Sequence, residues 1–266
     1  MMAMLATEQT EARLRELVSA WVRYGTWRKD FEVYRENMVF NERHQRHKVE
    51  LLELAAGGLE GKHVLEVGCG AGGLSVALAL KSYQVTPCDL SRECCEMTRL
   101  RALRYGLVIA PIVGSAEQLP FPDAGFTVIG CYDVIEHVAD PDAALRELRR
   151  VLAPTGVCVV NFHHRLALRD PHFRLSFVNW MPRPAAEWWI ERHGRAPRAH
   201  DGLTAECGQR LSEMHYYTPG GFRRACRRAG LRCRVVPADF GGRKLPWKRR
   251  LRPFQDQYAA VLTRDE

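Results

Sequence analysis

The chain has 266 residues, 46% hydrophobic and 26% charged, a balance that excludes a disordered tail, a collagen-like repeat and a small disulfide scaffold. No stretch approaches the roughly 18 uninterrupted apolar residues of a membrane span, and Glu8 and Glu11 interrupt the start before a secretory signal forms, so a cytoplasmic protein is expected. The net charge of +8 comes from an arginine-dominated surface (33 Arg against 6 Lys), which suits planar contacts with phosphate or carboxylate and equally fits the codon bias of a GC-rich genome.

Residues 1–58 read as an N-terminal helical extension or lid. Leu14, Leu17, Val18, Trp21 and Val22 form one apolar stripe, and Val49, Leu51, Leu52 and Leu54 a second. Residues 59–266 read as the main domain, in which short apolar runs alternate with helical patterns. Strands are expected at 63–67, 84–89, 107–113, 126–131 and 157–162, with helices at 73–82, 92–105 and 141–152 between them. The last helix has Asp140 to cap it, Pro141 in its first turn and Gly156 just beyond its end.

Residues 163–217 interrupt this alternation with a His-, Arg-, Pro- and Trp-rich insert, and so long an irregular stretch is usually functional. A helix at 218–229 and strands at 231–236 and 258–263 follow, the two strands flanking a basic excursion. The expected fold is α/β and Rossmann-like, a mostly parallel seven-stranded sheet with an antiparallel C-terminal strand. The 9 Cys are odd in number, scattered and without a CxxC, which reads as free thiols in a reducing compartment.

The loop Gly68-Cys-Gly-Ala-Gly-Gly73 joins the first strand to a helix, where glycines let a backbone approach a ligand closely. Gly68, Gly70 and Gly73 also satisfy GxGxxG, and Asp89 lies at the spacing of an NAD-ribose acid, so a dehydrogenase competes at this point. Glu66, two residues before Gly68, disfavours a pyrophosphate and suits a ligand with a cationic amino group. Beyond it stand Gly114-Ser-Ala-Glu-Gln-Leu-Pro after the third strand and Cys131-Tyr-Asp-Val-Ile-Glu-His137 at the end of the fourth.

In this order and spacing the three segments resemble class I S-adenosylmethionine (SAM)-dependent methyltransferases, with the texture of the quinone-biosynthesis subgroup. The resemblance covers roughly residues 60–162 and resumes over 218–263. It implies SAM as cofactor, with Glu66 and Gly68 on the methionyl end, Gly70 and Gly72 allowing close approach, and Asp89 on the ribose hydroxyls. Leu90 would pack on adenine, the Ala116 N–H would meet its edge, and the backbone at Cys131 and Tyr132 would face the methionine. Cys69 and Glu117 lie in the same loops. Ser115 departs from the Asp that many members carry there, leaving an uncharged acceptor for the adenine amino group.

A hydroxyl acceptor benefits from a general base. His163 and His164, after the fifth strand, stand where acceptors enter such folds, and His137 follows the fourth strand on the same edge. A bound metal is not expected, because Asp133 and Asn161 lack an evident third ligand. The insert aromatics Phe173, Phe177, Trp180, Trp188 and Trp189, with Trp21, Tyr24, Trp27, Phe31 and Tyr34, suit either an aromatic, basic-rimmed lid over a flat or anionic acceptor or a small satellite core. The expected activity is O-methylation of a small molecule: a sugar, a quinone-like ring or another natural-product hydroxyl. The basic run 243–252 keeps a macromolecular substrate or a peripheral membrane contact as the alternative, and a SAM-binding scaffold without turnover is the third reading.

Overall fold

The computed structural model describes residues 2–22, 30–170, 172–173, 175–193, 209–236 and 256–265. Tyr24, Trp27 and the basic run 243–252 lie outside the described residues.

Three helices come first: α1 (Met2–Trp21), α2 (Phe31–Val39) and α3 (Arg46–Ala56). The α/β region follows as β1 (His63–Val67), α4 (Gly73–Leu80), β2 (Gln84–Asp89), α5 (Arg92–Leu103), β3 (Ile112–Val113), β4 (Phe126–Cys131), α6 (Pro141–Val151) and β5 (Leu152–His163). The insert carries α7 (Arg183–His193), and α8 (Pro219–Arg228), β6 (Leu231–Val236) and β7 (Gln257–Arg264) close the fold. The sheet order is β3-β2-β1-β4-β5-β7-β6. Every pairing is parallel except those of β7, which runs antiparallel to both β5 and β6. The C-terminal strand is therefore antiparallel, as expected, and it is wedged inside the sheet rather than placed at its edge.

Local chemistry accounts for the helix starts. The Asp140 side chain accepts from the Ala143 N–H at 3.0 Å with Pro141 in the first turn, Ser91 caps α5 through the Cys94 N–H at 3.2 Å, and Thr218 caps α8 through the Gly221 N–H at 3.1 Å. Helix α6 then buries Ala144, Leu145, Leu148 and Val151 against Leu65, Ile129, Cys158 and Phe162 of the sheet. On the opposite face, Val49 and Leu52 of α3 and Leu74 and Leu78 of α4 cover Val64, Val128 and Val159. Helix α1 packs Leu14 and Val18 onto Met97 and Leu100 of α5.

Three elements differ from expectation. The third strand shrinks from 107–113 to two residues, because Pro111 has no N–H to give a ladder and Val108 is 92% exposed at the sheet edge. The fifth strand begins five residues early, absorbing Gly156 in an irregularity between the pairs Phe126/Leu152 and Val128/Val157. Helix α7 has no counterpart in the sequence reading. It buries Ala186 while Trp188 and Trp189 stay exposed, so its sequence carries no one-sided apolar stripe. In the insert, Phe173, Val178, Ala186, Leu211, Met214 and Tyr216 form a satellite core of their own.

Candidate active site

The first βα turn is built by backbone hydrogen bonds. Gly68 and Cys69 both donate to the Cys88 carbonyl, at 2.8 and 3.1 Å, which hooks the loop over the end of β2. The Gly70 N–H donates to Asp89 Oδ2 at 2.8 Å, and the Gly72 N–H to the Cys69 carbonyl at 2.8 Å. Gly72 has φ +78° and lies against α5, where a Cβ would come 2.6 Å from Thr98 Cα, so only glycine fits this close approach. Four loop amides are thereby satisfied within the protein. A phosphate-cradling loop presents such amides to its ligand, and this one has turned them inward.

Beside the loop lies a cavity of about 650 Å³ at the carboxyl ends of β1, β2 and β4. Glu66, Gly68, Cys69, Gly70, Asp89, Leu90, Ser115, Ala116, Glu117, Tyr132 and His137 line it. Gly72 and Cys131 do not: Gly72 is turned toward Thr98, and Cys131, fully buried, is held in the sheet opposite Val67. Leu90 is 71% exposed at the cavity's edge, an apolar side chain with no covering of its own. The N-terminal region adds Trp21, Met38, Asn41, Gln45 and Lys48 to the wall. Of these only Trp21 is singled out by the sequence; the polar members sit outside the apolar stripes that periodicity detects.

Two carboxylates bracket the cavity. Burial pushes the Glu66 carboxyl up to about 7, although the Ser75 hydroxyl donates to it and Lys48 is nearby. Burial also raises Asp89, whose oxygens are held by the Ser91 and Gly70 amides at 2.9 and 2.8 Å. At the far wall, Lys48 Nζ stands 3.2 Å from Asp133 Oδ2 and 4.9 Å above the Tyr132 ring. Burial works to raise Asp133, but Lys48, His163 and the Asn161 amide overcome it and hold the group well below the ordinary carboxylate range.

Behind Asp133 lies a cluster of acids and imidazoles. His163 Nε2 is 2.8 Å from Glu136 Oε1 and 3.8 Å from Asp133 Oδ1. Burial disfavours a charged His163, yet Glu136 and Asp133 prevail and push it up to about 9, so it carries a proton at neutral pH. His172, from the insert, packs edge-on to both His137 and His163, with ring centres 5.1 and 4.7 Å apart. Burial and these neighbours drive His172 well below its ordinary value. Potential ligand atoms of Asp133, Glu136 and His163, and of Glu136, His137 and His172, lie within 4.8 Å of one another, close enough to hold a divalent cation. The sequence reading sought a third ligand beside Asp133 and Asn161; folding brings in Glu136 and His163, which sequence spacing alone does not reveal.

The three predicted histidines therefore occupy different places. His137 lines the cavity, and its Nδ1 meets Gln209 Oε1 at 2.8 Å while Gln209 Nε2 donates back to the His137 carbonyl at 2.8 Å. His163 sits behind the wall in the acid cluster. His164 is buried with its ring edge-on to Tyr258 and its amide bonded to the Asp256 carbonyl at 2.8 Å. Among the insert aromatics, Phe173 is in the satellite core, Phe177, Trp180, Trp188 and Trp189 are exposed, and none lines the cavity.

With this geometry in place, comparisons with known proteins converge. Residues 65–160 match the family model described as a methyltransferase domain. A ubiquinone biosynthesis O-methyltransferase from Idiomarina loihiensis is 36% identical over 151 residues, 54% of this chain and 56% of that protein. One of the same description from Xanthomonas axonopodis pv. citri is 40% identical over 108 residues, 40% of this chain and 45% of that protein. The chain thus spans about half the length of the curated relatives it matches. An S-adenosylmethionine-dependent methyltransferase from Mesorhizobium loti shares the fold, with a TM-score of 0.56 at 16% identity over 82% of this chain and 98% of that one. The segment that matches the methyltransferase-domain model, residues 65–160, is the one that carries the glycine loop and strands β1 to β5.

Proposed function

We propose that the protein methylates a hydroxyl of a small molecule, most closely a phenol or quinol-like ring, in the cavity bounded by Glu66, Asp89 and Asp133. The observation that carries this reading is the spent set of loop amides flanked by two carboxylates. Four amides bonded within the protein and two facing carboxylates suit a diphosphate poorly and fit a ligand with a cationic amine and a ribose diol.

When bound, SAM supplies a methyl carbon already made electrophilic by its sulfonium. Glu66 would hold the ammonium, Asp89 the ribose hydroxyls through its remaining lone pairs, and Ala116 and Ser115 the adenine edge. Leu90, uncovered at the cavity edge, would gain apolar cover from the adenine face. The protein's main task is alignment and exclusion of water, since the carbon needs no further activation.

His137 is the group best placed to take the acceptor's proton. With Gln209 Nε2 given to the His137 carbonyl, Gln209 Oε1 is left to accept from Nδ1, an arrangement in which Nε2 would keep its lone pair for the acceptor's proton. His163 already carries a proton and serves as a positive charge behind Asp133. A hydroxyl acceptor agrees with the O-methyltransferase descriptions of the relatives. The test is incubation with SAM and paired phenols, alcohols and amines of matched size, read by mass spectrometry. A single added methyl on the phenols supports the reading; turnover confined to amines, or to RNA added as a competitor, contradicts it.

A further inference from the structure

Arg101 is fully buried on α5, away from the cavity wall. A buried guanidinium is costly unless its donors are met, and here they are met from two directions. Nε donates to the Ala71 carbonyl, in the glycine loop, at 2.6 Å. Nη1 donates to the Val39 carbonyl at 2.6 Å and to Glu42 Oε2, while Nη2 donates to the Met38 carbonyl at 2.8 Å. Glu42, also buried, accepts at Oε1 from the Tyr105 hydroxyl at 2.6 Å.

One rigid fork thus grips the cofactor loop with one nitrogen and the end of α2 with the other two. Replacing such a pair by apolar residues often leaves stability unchanged or better, so stability alone is a weak reason to bury it. What a planar guanidinium provides is direction, because three carbonyls must hold fixed positions at once. The gripped segments are also the cavity walls, Gly70 and Ala71 on one side and Met38 and Asn41 on the other. Two observations place this junction against the cavity wall. A Cβ on Gly73 would meet Asn41 Oδ1 at 2.4 Å, so α2's continuation sits directly on the loop's exit. Gln45, 8% exposed and among the residues that line the cavity, has its Oε1 buried without a hydrogen-bond partner while its Nε2 donates to the Asn41 carbonyl at 3.2 Å.

We propose that Arg101 is a positioning residue that couples docking of the N-terminal helices to cofactor binding, so that a filled cavity and a closed N-terminal arm stabilise each other. This rests on the reading of the cavity as the SAM site. Coupling of this kind is reciprocal: a ligand that favours the docked arm binds more weakly when the arm is loosened.

The experiment measures S-adenosylhomocysteine affinity by calorimetry at 10 °C, with amide exchange of residues 31–56 in the presence and absence of that ligand. In the wild type, the ligand is expected to slow exchange across 31–56. Arg101→Lys keeps the charge and loses the fork; affinity should fall roughly tenfold or more and the ligand-induced protection of 31–56 should largely vanish. Tyr105→Phe removes a single outer bond to Glu42, which keeps the test open if Arg101→Lys does not fold, and should weaken binding about threefold in the same sense. A merely structural role predicts lower melting temperatures with unchanged affinity and unchanged protection in both variants, and that result overturns the proposal. A wild type that binds no S-adenosylhomocysteine overturns the cofactor reading and this inference with it. A wild type that binds it without protecting 31–56 overturns the coupling alone.

Discussion

The Gly70 amide and the Asp89 carboxylate, 2.8 Å apart, join the first βα loop to the end of the second strand. One oxygen of Asp89 shapes the loop while the other receives the Ser91 amide at 2.9 Å, so this acid both builds the site and faces into it. Asp89→Ala removes both functions. S-adenosylhomocysteine binding, measured by calorimetry, should weaken by roughly 100-fold, about 2.7 kcal/mol. Asp89→Asn retains one carbonyl acceptor and should fall between wild type and alanine.

Glu66 makes binding depend on pH. Its carboxyl titrates near 7 in the free protein, and a cationic ammonium beside it favours the charged form. Binding then expels a proton wherever Glu66 starts protonated, so affinity should fall as pH drops from 8 to 6. Calorimetry in two buffers of different ionisation enthalpy will report the released proton. Glu66→Gln should bind more weakly at pH 8 and lose that dependence; a wild type with flat affinity across this range would refute the assignment.

His137 is expected to act on the rate rather than on the cofactor. His137→Gln should lower kcat for a hydroxyl acceptor by roughly 10²–10⁴-fold and change S-adenosylhomocysteine affinity less than threefold. His164→Gln should leave kcat within a few-fold of wild type, since His164 is away from the cavity wall. Equal losses in the two variants would remove His137 from its role.

The His163–Glu136 pair predicts a stability profile. In the metal-free protein, His163 titrates near 9 against an ordinary value near 6.5. A raised folded-state value means the stabilisation is complete below about pH 6.5 and is lost as pH rises through 9. The amount at stake is up to about 3 kcal/mol. Thermal melts from pH 6 to pH 10 should show a fall in Tm that His163→Gln abolishes while lowering Tm at pH 6.

The sheet and the acidic residues beside its glycine loop were legible because their signals are local. Five strand positions, the Asp140 cap and the carboxylates flanking the loop all express short-range rules of burial, capping and loop chemistry. What escaped was long-range. Lys48 in the first turn of α3 and Gln45 just before it line the cavity, and a periodicity argument reads only the apolar stripe that packs. Glu136, His163 and His172 come from β4's loop, β5 and the insert, so their meeting depends on how the chain returns. Arg101 lies 59 residues from Glu42, and nothing in its neighbourhood marks it as different from the other arginines.

What occupies the cavity between Glu66 and Asp89 is tested most directly by a crystal structure with S-adenosylhomocysteine. The expected result is the ribose on Asp89, the amino end beside Glu66 and Gln45, and the sulfur directed toward Tyr132 and Asp133. An empty cavity at saturating ligand, or the nucleoside bound elsewhere on the protein, would contradict it.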